Sequence, residues 1–182
     1  MLGYQLKVYD GAINALAESE SNHVLGTLQR LRSCSLHPRL ADGGKLDVPS
    51  NAKELESILT ESEKLRSLIE VLDMIKDRQQ KCIIFAVNKR LQGFLSLALG
   101  KKYQLGPLSI INGDAKAVSK NASNPTRKSM IIDFESKEGV NIIVMSPVAA
   151  GVGLTVVGAN NVVHLERHWN PAKEAQATDR VY

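Results

Sequence analysis

Apolar positions along the chain follow two kinds of spacing, and the change from one to the other divides it. From Ile13 to Leu31, the residues Ile13, Leu16, Ala17, Val24, Leu28 and Leu31 have an irregular helical spacing, which predicts a helix ending near LHPRL. The segment ADGGKLDVPSN (41–51) has no period and reads as a flexible loop leading into a short helix near Ala52 to Leu59. In TESEKLRSLIEVLDMIKD, Thr60 and Glu63 stand at capping-box spacing, and Leu65, Leu68, Ile69, Leu72 and Ile75 share one helical face.

Beyond that helix come four short β-rich runs: KCIIFAV (81–87), LSII (108–111), NIIVMS (141–146) and NNVVHL (160–165). Helical spacing returns between them, with Leu91, Phe94, Leu95 and Ala98 in Lys89 to Lys101, and Met130, Ile131 and Phe134 in Thr126 to Glu135. Apolar strands alternating with helices predict an α/β fold with a mainly parallel sheet covered on both faces. There is no internal repeat, and KAVSKNASNPT (116–126) reads as a polar loop. Ligands of such sheets bind at the carboxyl ends of the strands. That rule selects NKR, NGDAK, SPVAAGVGLT and ERHWNP.

Composition changes this picture little. With 43% apolar and 23% charged residues the chain is an ordinary globular sequence, and no run approaches the ~18 apolar residues of a membrane span. The first residues lack the apolar core of a secretion signal, so a cytoplasmic protein with no membrane partner is expected. Cys34 and Cys82 are too few for a disulfide framework and lack zinc-site spacing. A net charge of +4 tolerates a polyanionic partner without arguing for one, so nucleic-acid binding has to be argued from the site.

In AAGVGLTVVG, Gly151 and Gly153 would let backbone N–H groups approach an anion, or simply serve a tight turn that needs small residues. The third glycine of a dinucleotide fingerprint is replaced by Val156, and no GxxxxGK[ST] exists anywhere in the chain. HLERH puts His164 and His168 four apart around Glu166. His164 ends a predicted strand, however, so the rings do not share a helical face and no metal site is expected. Asn170 and Pro171 suit an N-cap and first helical position, and the sole tryptophan, Trp169, reads first as an anchor for that helix and, standing on the ligand-binding edge, also as a base-stacking platform, two readings that can hold together. Gln176 and Arg180 share one face of the last helix. An arginine so placed is either an ordinary surface residue or a donor to phosphate oxygens in phosphoryl transfer.

Taken in order, these segments resemble the second, C-terminal motor lobe of the Swi/Snf-type ATPases, DNA translocases of helicase superfamily two with many bacterial members. LRSCSLHP (31–38) resembles the element between the lobes, EKLRSLIEVLDMI (63–75) the helix before the first strand, and KCIIFA (81–86) motif four. INGD with TRKSMIIDF (126–134) resembles the family's Asp-Gly-Ser element and following helix. SPVAAGVGLTVVGANNVVHLERHWNP (146–171) resembles motif five, and QATDRVY (176–182) the opening of motif six.

The resemblance implies an N-terminal helical and inter-lobe segment over 1–60 and a RecA-like lobe over 61–182, cut inside motif six. It implies a full-length ATPase whose first lobe binds most of the ATP and Mg2+, and a fragment that binds neither and is inactive alone. This lobe would add Arg180 as an arginine finger with Gln176 beside it, and Gly151, Gly153 and Asp179 to the nucleotide. Its partners would be that first motor lobe and the phosphate backbone of DNA, placing a bacterial member at the nucleoid. By position, the DNA-binding candidates are Lys89, Arg90, Gly113, Lys116, Ser146 and Trp169. The sequence departs from the family in three places: Pro147 and Val148 follow Ser146 where Thr-Arg is usual, Ala150 replaces a glycine, and the loop between Gly113 and Arg127 is long. That loop carries Lys116 and Lys120, which could replace the lost charge. Two other readings are a stand-alone interaction or regulatory module that keeps the lobe fold, and a Rossmann-type cofactor binder.

Overall fold

A computed structural model describes residues 3–17, 24–41, 46–114, 125–150 and 155–179. It divides into two compact units, Met1–Val71 and Leu72–Tyr182.

The first unit is helical: α1 (Gly3–Ala17), α2 (Val24–Leu36), α3 (Pro38–Ala41), α4 (Ala52–Thr60) and the start of α5 (Glu63–Asp77). The single helix expected from Ile13 to Leu31 is therefore two helices, and Ile13, Val24 and Leu28, set on its apolar spacing, are exposed. The unit is held by polar groups that satisfy one another in the interior. Gln5 donates from Nε2 to the Cys34 carbonyl at 2.8 Å, and its Oε1 accepts the Glu63 N–H at 3.1 Å. His37 is buried, with Nε2 at 3.0 Å from the Ile58 carbonyl and Nδ1 accepting the Arg39 N–H at 3.2 Å. The cap of α5 also differs from the expectation. Ser62, not Thr60, accepts the Leu65 N–H at 3.3 Å, because its hydroxyl simultaneously satisfies the buried Leu36 carbonyl at 2.6 Å. Thr60 instead bonds back to carbonyls of its own helix. The apolar face of α5 is as expected: Leu65, Leu68, Ile69, Leu72 and Ile75 are all buried.

The second unit is an α/β lobe. Its strands are β1 (Lys81–Phe85), β2 (Ile110–Ile111), β3 (Asn141–Met145) and β4 (Asn161–His164), in the order β2-β3-β1-β4, and every pairing is parallel. Helix α6 (Lys89–Lys102) links β1 to β2, and α7 (Arg127–Ser136) links β2 to β3. The four-residue α8 (Pro147–Ala150) follows β3, and α9 (Pro171–Thr178) follows β4. Central β3 is buried along its whole length, as is all of β1 beyond its first residue, which is why both read as continuous apolar runs.

Ile83 and Phe85 of β1, Ile143 and Met145 of β3, and Ile111 pack with Ile131 and Phe134 of α7 and Ala177 of α9 in one cluster. Cys82, Ile84, Ile142 and Val144 alternate to the opposite face and are equally buried. Strand β2 is shorter than the apolar run suggested, because the Leu108 N–H donates to the Ser96 carbonyl of α6 instead of to a strand.

Candidate functional site

The carboxyl ends of the strands are locked to one another past the last ladder residues. Ala86 N–H donates to the Met145 carbonyl, Ser146 N–H to Ile111 at 2.8 Å, and Leu165 N–H to Phe85 at 3.0 Å. The turns that follow therefore form one edge. From the β1 end, Asn88 caps α6 by accepting the Leu91 N–H at 3.0 Å, which puts Lys89 and Arg90 in its exposed first turn. From the β2 end, Asn112 accepts the Asp114 N–H and makes the turn that carries exposed Gly113.

Lys89 Nζ meets Asp114 Oδ1 at 2.8 Å across these two turns, with both side chains mostly in solvent. A lysine in that setting is held by a carboxylate that a phosphate oxygen would have to replace, and such an exposed pair costs little to exchange. Buried Gln92 braces the same corner, donating to the Ala86 carbonyl and accepting from Asn112 Nδ2 at 2.8 Å.

From the β4 end the chain runs Leu165–Glu166–Arg167–His168–Trp169. Trp169 is 80% exposed, with its ring 5.7 Å from that of His168. It does not anchor α9. That helix is held by the Asn170 cap on the Ala172 N–H, by fully buried Ala177, and by Glu174, which accepts Arg167 Nε on both oxygens (3.0 and 2.8 Å) and the His168 N–H at 2.7 Å. Burial would raise the Glu174 carboxyl, but the His168 N–H and the Arg167 guanidinium outweigh it and hold it below its ordinary value.

Gln176 of α9 and Asp179, which caps its carboxyl end, are exposed. Gly151, Gly153, Lys116 and Arg180 lie outside the described residues. The structure thus groups Lys89, Arg90, Gly113, Ser146, Trp169, Gln176 and Asp179 on elements that leave one sheet edge.

In HLERH, the side chains of His164, Glu166 and His168 take separate partners. His164 stacks on Phe85 at 5.0 Å, and its Nε2 lies 2.9 Å from Thr178 Oγ1. Since the Thr178 hydroxyl proton goes to the Glu174 carbonyl, Nε2 is the donor and Nδ1 carries the lone pair, buried and unpartnered among the described residues. Burial accordingly lowers the pKa of His164. Glu166 turns the other way, into the β1 turn. Among the described residues no group of three or more His, Cys, Asp or Glu could hold a metal ion, and no helix is long and apolar enough to cross a membrane.

Sequence reasoning missed the carboxylates Asp114, Glu135, Glu166 and Glu174. Glu135 accepts the Val157 N–H at 2.6 Å and so fixes the chain where it returns from the glycine-rich segment. An acidic residue one or two positions past a strand end was the only available signal, and it fits Glu166 alone.

A parallel lobe with its polar edge at the strand ends, no phosphate loop of its own and a short capped helix after β4 is the shape of a helicase second lobe. Residues 63–182 match the family described as the helicase conserved C-terminal domain. The chain belongs to that family, as the C-terminal lobe of a Swi/Snf-type ATPase.

The chain is 37% identical over 160 residues to the Zorya protein ZorD of Escherichia coli, a match covering 87% of this chain and 14% of that protein. It is 31% identical over 159 residues to the putative ATP-dependent helicase/translocase YwqA of Bacillus subtilis, covering 87% of this chain and 15% of that one. Among solved structures, the Sulfolobus solfataricus SWI2/SNF2 ATPase core in complex with dsDNA superposes with a TM-score of 0.68 at 25% identity, over 97% of this chain and 34% of that one. The C-terminal part of the Fun30 ATPase domain gives 0.69 at 20% identity, over 98% of this chain and 76% of that one, and speaks to the fold alone. The chain spans about one seventh of the two bacterial relatives.

Proposed function

We propose that this lobe is the second half of an ATP-driven double-stranded DNA translocase, working against a first motor lobe that lies elsewhere in the full-length protein. The observation that carries this reading is the grouping of Lys89, Arg90, Gly113, Ser146 and Trp169 at the strand ends of a lobe in this family, next to the helix that leads to Arg180. The relative whose core was solved with dsDNA supports the choice of track. Charge agrees with it: residues 72–182 hold 15 Lys and Arg against 9 Asp and Glu, while the whole chain is only +4. A grip made of lysine, arginine and backbone N–H groups reads phosphate and not base sequence.

ATP and Mg2+ bind mainly in the first lobe. The chemistry they bring is transfer of the γ-phosphoryl group to water, and this chain supplies electrostatic help to it. Arg180 is assigned as the arginine finger, a permanent positive charge for the phosphate oxygens when the cleft closes, with Gln176, four residues earlier in the sequence, as its helper. Gly151, Gly153 and Asp179 are assigned to the nucleotide. Closure with each ATP and opening after hydrolysis would move one grip past the other.

In the full-length protein, Arg180→Ala abolishes DNA-stimulated ATP turnover while ATP binding stays within a few-fold, because a finger acts in the transition state. Unchanged stimulated turnover in a folded Arg180→Ala protein sinks this assignment.

A further inference from the structure

Glu166 is 5% exposed, and a carboxylate so buried is costly unless its oxygens are hydrogen-bonded. Its Oε2 accepts two backbone N–H groups, from Val87 at 2.8 Å and Asn88 at 2.7 Å, the residues leading from β1 into α6. Its own N–H and that of Leu165 both turn to the Phe85 carbonyl. The end of β4 thereby holds the turn that presents Lys89 and Arg90. The very next residue faces the other way: Arg167 Nε meets both oxygens of Glu174, and the His168 N–H adds a third bond to that carboxylate. Glu174 is 7% exposed and sits in the first turn of α9, the helix of Gln176 and Asp179. Three consecutive residues, 166 to 168, are therefore bonded on one side to the β1–α6 turn and on the other to α9. Charge-assisted bonds of this length are the strong kind.

We infer that Glu166 and Glu174 are positioning residues forming a strut, through Glu166–Arg167–His168, that keeps α9 in register with the β1–α6 turn and so makes ATP turnover respond to DNA. The inference rests on the DNA-motor reading above. Neither carboxylate touches substrate in it; each acts through the residues it holds. A phosphate drawing on Lys89 or Arg90 loads the Val87 and Asn88 amides, the load passes to Glu166, and the two peptide units from Glu166 to the His168 N–H carry it to the Glu174 carboxylate. Arg180 acts only when DNA has closed the cleft, and misplacing a catalytic group by about 1 Å costs on the order of 100-fold in rate, so slack in this short path is felt in stimulated and not in basal turnover.

The test uses the full-length protein and compares basal with DNA-stimulated ATPase for Glu166→Gln, Glu174→Gln and the double variant, with ATP KM and circular dichroism alongside. Gln keeps the side-chain volume and one acceptor oxygen but removes the charge that makes these bonds strong. Each single variant is expected to keep basal turnover and ATP KM within about 2-fold while stimulation falls on the order of 10- to 100-fold. The double variant should fall no further than the weaker single, since the two act in series.

Stimulation unchanged in folded single variants overturns the strut, as does a double variant whose loss is the product of the single losses. A purely structural role would lower basal and stimulated rates together and also overturns it. Should either Gln variant fail to fold, Arg167→Lys gives the decision, because Arg167 is 78% exposed and its Nε geometry cannot be reproduced by lysine. Stimulation must fall there too, and its retention rejects the proposal. A wild-type protein that DNA does not stimulate refutes the motor reading itself, a result distinct from all of these.

Discussion

Gly93 and Gly100 lie in the same helix, and the same substitution should move stability in opposite directions at the two sites. In a helix interior, Gly→Ala is worth about 1 kcal/mol in favour of alanine, because glycine loses more backbone freedom on folding. At Gly93 nothing lies within 4 Å of an added Cβ, so that gain should appear almost intact. At Gly100 the Cβ would fall 2.0 Å from the Gly106 carbonyl oxygen and 2.8 Å from its carbon.

The collision is with a backbone that cannot simply swing away. Helix α6 ends in a Schellman arrangement: the Leu105 N–H donates to the Gly100 carbonyl at 2.9 Å and the Gln104 N–H to Lys101 at 3.3 Å, with Gln104 at φ 58° and Gly106 at φ 72°. Two residues later, Leu108 is bonded to Ser96 in both directions, N–H to carbonyl at 3.1 Å and carbonyl from hydroxyl at 2.6 Å. Moving the Gly106 oxygen from 2.0 Å out to ordinary contact, a shift of about 1.4 Å, strains that return or breaks one of its bonds. Overpacking costs about 1–3 kcal/mol and a lost hydrogen bond about 1 more, so the propensity gain is outweighed and a net loss of about 2 kcal/mol results.

The two variants should therefore differ by about 3 kcal/mol. At a urea m-value of 1–3 kcal/mol/M, that separates their midpoints by about 1–3 M, with the parent chain between them. Urea titrations followed by circular dichroism read this directly. Midpoints that move together, or a Gly100→Ala chain at least as stable as the parent, would falsify the close-approach argument.

The first unit should lose stability in acid. In the folded chain His37 is neutral with both ring nitrogens used, and burial, only partly offset by the Ile58 carbonyl and Glu61, lowers its pKa from 6.5. The unfolded state then binds the extra proton, so the His37 contribution is complete above pH ~6.5 and is lost as pH falls from there toward the folded pKa. His164 shifts in the same direction, so the test is the difference between parent and His37→Gln in the drop of urea midpoint from pH 7.5 to 5.5; equal drops reject it. Cys82 offers a third check. Burial pushes its thiol up to about 12, and the thiolate is the reactive form, so at pH 8 a thiol reagent should reach it only as fast as the chain opens. Modification of Cys82 in the native chain at the rate of a free thiol, in a Cys34→Ser background, would contradict that burial.

What the residues disclose in advance, and what they hide, follows from the range of the interactions involved. Buried strands and the α5 face are written in side-chain type at fixed periods. Leu65, Leu68, Ile69, Leu72 and Ile75 could thus be placed on one face without knowing what they meet. Caps are half local. Thr60 and Glu63 have the spacing of a capping box, yet Ser62 caps α5, because it alone also answers the Leu36 carbonyl 26 residues upstream, and that demand is invisible at short range. Trp169 fails for a similar reason: a large ring beside a helix start suggests an anchor, but Glu174 had already fixed that start through Arg167 and His168.

The carboxylates at the site edge were the least legible. Glu166 bonds to the backbone of Val87 and Asn88, 79 and 78 residues earlier, and backbone N–H groups look the same under every side chain. A charged residue whose partners are main-chain amides leaves no complementary residue type to search for. At the edge of a parallel sheet, then, an acidic residue just past a strand end is better tested first against the neighbouring strand's outgoing turn than against a metal or a distant base. In this lobe that question separates Glu166, whose carboxylate holds the turn from β1 into α6, from the two histidines around it.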